Sequence, residues 1–387
     1  MPRPALLRPA ARLSAFYAAA FLVTGVQLPF WPVWLTSRGL DAKEIGIVFA
    51  SAIWAKVAAT PAIGALADHF GRRRVMSVLA ATSLAAYLAL WPAVGFWLLL
   101  STNLVALTAQ SALMPLGDSV TLTLTRSKGL DYGRVRVWGS VSFVFAALAA
   151  GMVLTRTSGG WVLPLVISSS TLLMLACRAL PAADPARGPG AVPGVHGPGM
   201  RQIAGDRRFW IFVATASALQ ASHQVYYGFG SLYWRSLGFS QTTIGLLWAE
   251  GVVAEILLFW QGQRLVLRLG PVGLMALGGL AGVLRWTLAG LVVSLPATGA
   301  LQLLHALTFG ATYLGAMHFL ARTTPSAAAA SAQTLFAAVS SGVGGGLVMI
   351  AAGALYAAAG GRQRCHEQIS PAAGLVGTMQ LRSAVAR

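Results

Sequence analysis

Eleven apolar runs follow one another along the chain, each near the ~20 residues that a helix needs to cross a hydrocarbon core, with short polar interruptions between them. They predict spanning helices at about 13–35, 44–67, 75–92, 97–121, 137–155, 161–180, 209–234, 242–261, 272–292, 296–320 and 328–358. Pro29, Pro61 and Pro115 fall inside these runs, where lipid-buried helices tolerate them and kinks are expected. The rhythm breaks at residues 181–208, rich in proline and glycine, which reads as a flexible cytoplasmic linker between residues 1–180 and 209–360. Beyond Gly361 the sequence turns polar at Arg362-Gln363-Arg364-Cys365-His366-Glu367, and residues 361–387 hold no run long enough to span. The expected fold is an all-α polytopic membrane protein, with six helices before the linker and five recognisable ones after it.

Composition agrees with that pattern. Hydrophobic residues make up 56% of the chain and charged residues 10%, against about a quarter charged in soluble domains. The net charge of +18 does not point to nucleic acid, because the arginines come in short clusters between apolar runs instead of forming one basic face. They do set a topology. Arg3, Arg8, Arg12, Arg72, Arg73, Arg74, Arg134, Arg136, Arg178, Arg207, Arg208, Arg264, Arg268 and Arg322 share one side, while the opposite loops hold Arg38, Lys43, Arg156 and Arg235. The positive-inside rule then places the N-terminus in the cytoplasm of an inner-membrane protein. Cys177 and Cys365 lack metal or redox spacing, so no metal and no cofactor is expected. No small-residue cleavage site follows the first apolar run, which reads as a retained helix.

The loop between the second and third runs is the sharpest local signal: Gly64-Ala65-Leu66-Ala67-Asp68-His69-Phe70-Gly71-Arg72-Arg73-Arg74. A tight turn between antiparallel helices needs Gly71 for close approach or positive φ, and its arginines suit an anionic cytoplasmic surface. Gly64, Asp68, Gly71, Arg72 and Arg73 resemble the cytoplasmic signature of the major facilitator superfamily, with His69 where a base is usual. A weaker echo, Gln263 to Gly270, lies between the eighth and ninth runs and suggests an internal repeat. The resemblance implies two six-helix halves, with the twelfth helix missing or altered here.

Ionisable groups inside a bilayer are functional candidates by default, and here they are Lys56, Asp118, His223, Glu250, Glu255, Arg285, His305 and His318. At 1.5 Å per residue, Glu250, Arg285 and His305 fall near one depth, with Glu255 one to two turns further toward the cytoplasm. They form either a proton-coupling network or a static pair that ties helices eight and nine together. On helix seven Gln220, His223 and Tyr227 share a face by i, i+3, i+7 spacing. Tyr17 and Gln27 on helix one, Lys56 on helix two and Gln110 on helix four are further substrate-binding candidates. Asp118, at the inner end of helix four, reads as a gate or loop salt bridge. Nothing resembles a catalytic nucleophile or phosphate-cradling loop, so an enzyme is not expected.

Other stretches resemble one branch of that superfamily, the 3-phenylpropionate permease-like group related to the lactose/proton symporters. They include Leu28 to Leu35, Pro115 to Asp118, Leu130 to Ser140, Gln220 to Phe229, Trp248 to Ile256, Arg285-Trp286 and Leu304-His305. By that resemblance Arg285 and His305 match the coupling arginine and histidine. The carboxylate due three residues after the histidine is replaced by Thr308, which leaves Glu255 or Glu250 to carry the proton. The resemblance implies a monomeric symporter that moves a small organic molecule, an aromatic carboxylate by the branch it resembles, together with protons across a lipid bilayer. An exporter, a nucleoside or sugar carrier, and a transport-inactive protein with a truncated C-terminus are the alternatives.

Overall fold

The computed structural model describes residues 4–181, 205–324 and 329–359, all in helices and their connections. Helix one is Pro4–Ser37, helix two Ala42–Phe70, helix three Arg72–Ala89, helix five Tyr132–Arg156, and helix six Val162–Ala179. Helix four comes in two pieces, Phe96–Ser111 and Leu113–Lys128, because Pro115 has no N–H to offer the Ser111 carbonyl. Helices one and two run unbroken through Pro29 and Pro61. Of the three prolines expected to kink, only Pro115 marks a break. Helix five begins five residues earlier than the apolar pattern suggests, since Asp131 caps it by accepting from the Arg134 N–H. Arg134 and Arg136 thus belong to its first turns.

The second half begins with helix seven (Arg207–Ser236) and helix eight (Gln241–Trp260). The stretch Gly262–Ala289 is broken at Gly270, where φ is +67°, so its first part prolongs helix eight and its second is helix nine. Helix ten runs Leu295–Leu303, a π-helical turn Ala306–Ala311, then Thr312–Thr323. Helix eleven starts at Ala329, also passes through a π-helical stretch, Ala338–Gly344, and ends at residue 359. Among the described residues nine helices are long and apolar enough to cross a membrane. Helix three misses that threshold because three arginines fill its first turn, and helix seven because Gln220, His223 and Gln224 lower the hydropathy of its middle. Most of the linker (182–204) and the tail from 360 on lie outside the described residues, so the expectation of a missing twelfth helix does too.

The halves repeat each other. Gly39 at φ +88°, the N-cap Asp41, Gly46 and Gly71 at φ +90° recur in the same order and spacing as Gly238 at φ +83°, the N-cap Ser240, Gly245 and Gly270. Positive φ strains any side chain with a Cβ, which is why glycine ends both second helices of the repeat. Gly46 and Gly245 have another role: a Cβ on either would meet a backbone carbonyl inside 3.0 Å, Met349 O of helix eleven for Gly46 and Ala147 O of helix five for Gly245. Gly353 and Gly151 complete these two crossings against Ala42 and Gln241.

These crossings seal the face opposite the arginine loops. There one apolar core is continuous across the halves, joining Phe30, Trp34 and Ala147 to Phe229, Trp234, Trp248 and Met349. At the arginine-rich end the second half keeps a separate core of Phe209, Phe212, Met275, Leu320 and Phe336. The signature loop braces that end of the first half. Arg72 donates to Thr123 Oγ1 (3.2 Å) and lies 3.9 Å from Asp68, and Arg73 donates to the Arg178 carbonyl (2.6 Å) at the C-terminus of helix six, where a cation complements the helix dipole. Gly64 packs against nothing close.

Candidate functional site

Two polar clusters lie within the bundle, one in each half. In the first, Gln27 Nε2 donates to the Tyr87 hydroxyl (2.8 Å), Tyr87 donates to Gln110 Oε1, and Gln110 Nε2 donates back to Gln27 Oε1 (2.9 Å). This closed ring ties helices one, three and four. Beside it the buried Asn103 accepts from the Trp31 indole (2.9 Å) and donates to the Leu99 carbonyl (2.8 Å). Every group in the cluster is neutral, and each amide finds partners, as burial demands.

Gln27 and Gln110 also border a cavity of about 540 Å³, shared with Thr24, Lys56 and Asp118. Asp118 accepts from the hydroxyls of Tyr17 (2.6 Å) and Tyr132 (3.1 Å). The Arg136 guanidinium sits over the rings of Tyr17 and Phe21, at 5.3 and 4.2 Å, close enough for cation–π attraction. Asp118 therefore pairs with tyrosines and forms no ion pair among the described residues. The Lys56 ammonium lines the cavity with no hydrogen-bond or ion-pair partner among them.

The second cluster is charged. Arg285, 1% exposed on helix nine, donates to Gln302 Oε1 (2.6 Å) and Thr308 Oγ1 (3.0 Å), and its Nη1 meets His305 Nδ1 at 3.2 Å. Its guanidinium stacks on Tyr226 (4.9 Å) and Trp286 (4.5 Å). Among the described residues no carboxylate pairs with it. A guanidinium only donates, so His305 Nδ1 presents its lone pair and the neutral ring carries its proton on Nε2, 3.7 Å from Glu255 Oε2. His223 Nδ1 faces the Leu219 carbonyl (3.2 Å), which only accepts, so the neutral His223 receives the Thr308 hydroxyl at Nε2 (3.1 Å). The hydrogen bonds thus run from Arg285 through Thr308 to His223 and through His305 toward Glu255.

Arg285, His305 and Glu255 of the expected network lie together, and His223 of the helix-seven face joins them through Thr308. Glu250 does not: its carboxylate lies beside Gly299 of helix ten, and it forms no ion pair with Arg285. The helix-seven face divides as well. Tyr227 stacks near His223 and Trp248 (5.9 and 6.1 Å), whereas the Gln220 side chain makes no hydrogen bond among the described residues. Gln302 was not anticipated, yet it is the shortest contact of Arg285 and also donates to Tyr226 (2.9 Å). Its position three residues before His305, on the same face of helix ten, was the available signal. The π-helical turn follows directly at Ala306–Ala311, a deviation frequent at functional sites.

The description "MFS_1 like family" matches residues 10–365. The chain belongs to this family of major facilitator transporters. It is 31% identical over 350 residues to an Escherichia coli (strain K12) protein named "Probable 3-phenylpropionic acid transporter", covering 89% of this chain and 90% of that one. Identity to the maltose permease of Geobacillus stearothermophilus is 27% over 343 residues, covering 88% and 86%. The crystal structure of the nucleoside transporter NupG superposes with a TM-score of 0.80 at 18% identity, covering 90% of this chain and 91% of that one. The protein is a multi-pass membrane transporter of a small molecule, not an enzyme.

Proposed function

We propose that the protein is a proton-coupled symporter of a small organic anion, an aromatic carboxylate by analogy with its E. coli relative, working by alternating access in the cytoplasmic membrane with its N-terminus inside. The observation that carries this reading is Arg285: a cation buried to 1% exposure and, among the described residues, held only by neutral acceptors and aromatic faces. Burying an unpaired charge costs several kcal/mol, and a substrate carboxylate would offset that cost. Glu255 would hold the proton, a role supported by its 21% exposed side chain and its approach to His305, which in turn meets Arg285. A carboxylate arriving at Arg285 changes what His305 offers Glu255, which links cargo to proton.

With the arginine loops in the cytoplasm, the sealed face is the outer one, and the conformation opens inward. Release of the two glycine crossings would let the halves rock. The test is uptake into proteoliposomes of a labelled phenylalkanoate, with and without an imposed gradient, acid outside. Accumulation driven by that gradient supports the reading, and uptake indifferent to it refutes proton coupling. The neutral first-half cluster and the similarity to maltose permease favour one second reading, a sugar carrier. Competition by neutral sugars but not by carboxylates would select it.

A further inference from the structure

On the sealed face a second cavity, about 580 Å³, is lined by residues of both halves: Arg38 just past the end of helix one and Arg235 in the last turn of helix seven. Trp34, Trp91, Gly159 and Gly160 form much of the remaining wall, and among the described residues no acidic side chain lines it. The loops of this face hold four cations, Arg38, Lys43, Arg156 and Arg235, and two of them share this one hollow. Asp41 and Glu44, the acids closest to Arg38 in sequence, are occupied with each other's backbone N–H in the capping box of helix two.

Arg38 is held in place. Its Nη2 donates to the Ala93 and Trp91 carbonyls in the connection between helices three and four, and the guanidinium lies 5.8 Å from the centre of the Trp34 ring, within the range of cation–π attraction. A guanidinium has five N–H donors, so the Nε and Nη1 edge is left without an acceptor among the described residues. The exposed Arg235 has no hydrogen-bond or ion-pair partner among them. A cation suits a helix C-terminus, which accounts for either arginine alone but not for two like charges around one space. Arginine forks match oxyanions, and a phosphate group, with three strong acceptor oxygens, can serve two forks at once. We infer that this cavity binds an oxyanion of the phosphate class between Arg38 and Arg235, and that the bridge fastens the two halves together on the sealed face. Since its two partners come from opposite halves, the anion favours the sealed conformation and slows its opening. A lipid phosphate and a dissolved phosphate offer the same chemistry. The inference is independent of the reading of Arg285.

Purified full-length protein tests it through Ser231→Cys, at a buried position of helix seven beneath the sealed face, in a Cys177→Ser, Cys365→Ser background. Alkylation by a small maleimide reports opening of that face. In nonionic detergent free of phosphate, inorganic phosphate at ten times its half-effective concentration should slow labelling roughly tenfold, and sodium chloride at the same ionic strength should not. Arg38→Gln and Arg235→Gln should each abolish the slowing. Arg235→Gln, at an exposed position, keeps the test valid where Arg38→Gln disturbs its loop. Phosphatidylcholine nanodiscs then separate the two sources. Labelling already slow without added phosphate, and relieved by both arginine variants, supports the inference with lipid as the occupant; slowing only on addition of phosphate supports it with the free anion. No effect of phosphate or lipid, an equal effect of chloride, or slowing that survives either arginine variant overturns the bridge. So does slowing that appears only in Glu367→Gln, outside the described residues, since the chain's own acid then fills the site.

Discussion

The two buried clusters of this protein solve the same problem in opposite ways. Gln27, Tyr87, Gln110 and Asn103 form a neutral set in which each donor meets an acceptor inside the first half. Arg285, His305, Thr308 and His223 form a set that contains a full charge and lacks its counter-charge. A satisfied network rigidifies its surroundings, whereas an unsatisfied one keeps free energy available for a partner. We propose that the first-half cluster serves as frame and the second-half cluster as the working part.

The sharpest way to break this contrast is to remove the unpaired charge. Arg285→Gln should lower carboxylate uptake at least 100-fold, in line with the ~3–5 kcal/mol that a lost buried partner costs, as measured by initial rates in proteoliposomes. Next in size, Glu255→Gln should abolish acceleration by an acid-outside gradient while substrate exchange across the membrane continues. Uptake that still follows the gradient would move the proton elsewhere. In the frame, Asn103→Leu strands the Trp31 N–H and should destabilise the protein by about 1–3 kcal/mol, visible as a lower melting temperature in detergent. The smallest effect belongs to Tyr17→Phe, about 1 kcal/mol or less, because Tyr132 still donates to Asp118. If Asn103→Leu altered gradient coupling more than stability, the division into frame and working part would be wrong.

A change at the seam probes a different scale. Gly245→Val places a side chain against the Ala147 carbonyl and disfavours the sealed face by about 1–3 kcal/mol. Labelling of a single cysteine introduced beneath the sealed face should rise roughly tenfold as the population shifts.

Much of this architecture can be read without coordinates. Eleven apolar runs, the arginine asymmetry and the Gly71 turn specify a helical membrane protein, because lipid leaves the backbone no other way to satisfy its hydrogen bonds and because arginine is costly anywhere but at the surface. Helix ends were less legible. Asp131 extends helix five past its apolar run, since a cap depends on one side chain and not on hydropathy. The internal repeat was visible only as the faint echo at Gly270, and became plain once Gly39, Gly46 and Gly71 could be matched to Gly238, Gly245 and Gly270 by conformation and close contacts.

The candidate site divides along the same line. Sequence alone named Glu250, Glu255, Arg285 and His305 as one network and His223 on the helix-seven face, because ionisable residues inside a membrane are few enough to name. Which of them touch was settled by tertiary structure: depth along the helices grouped Glu250 with Arg285 and His305, yet only Glu255 approaches His305, and Gln302 enters as the nearest partner of Arg285. Apolar periodicity reports how each helix meets lipid, a property of one helix at a time. Pairing between buried polar groups depends on the rotation and depth of two helices at once, and for Arg285 and its helix-ten partners these are set where Gly278 and Gly315 bring helices nine and ten into close contact.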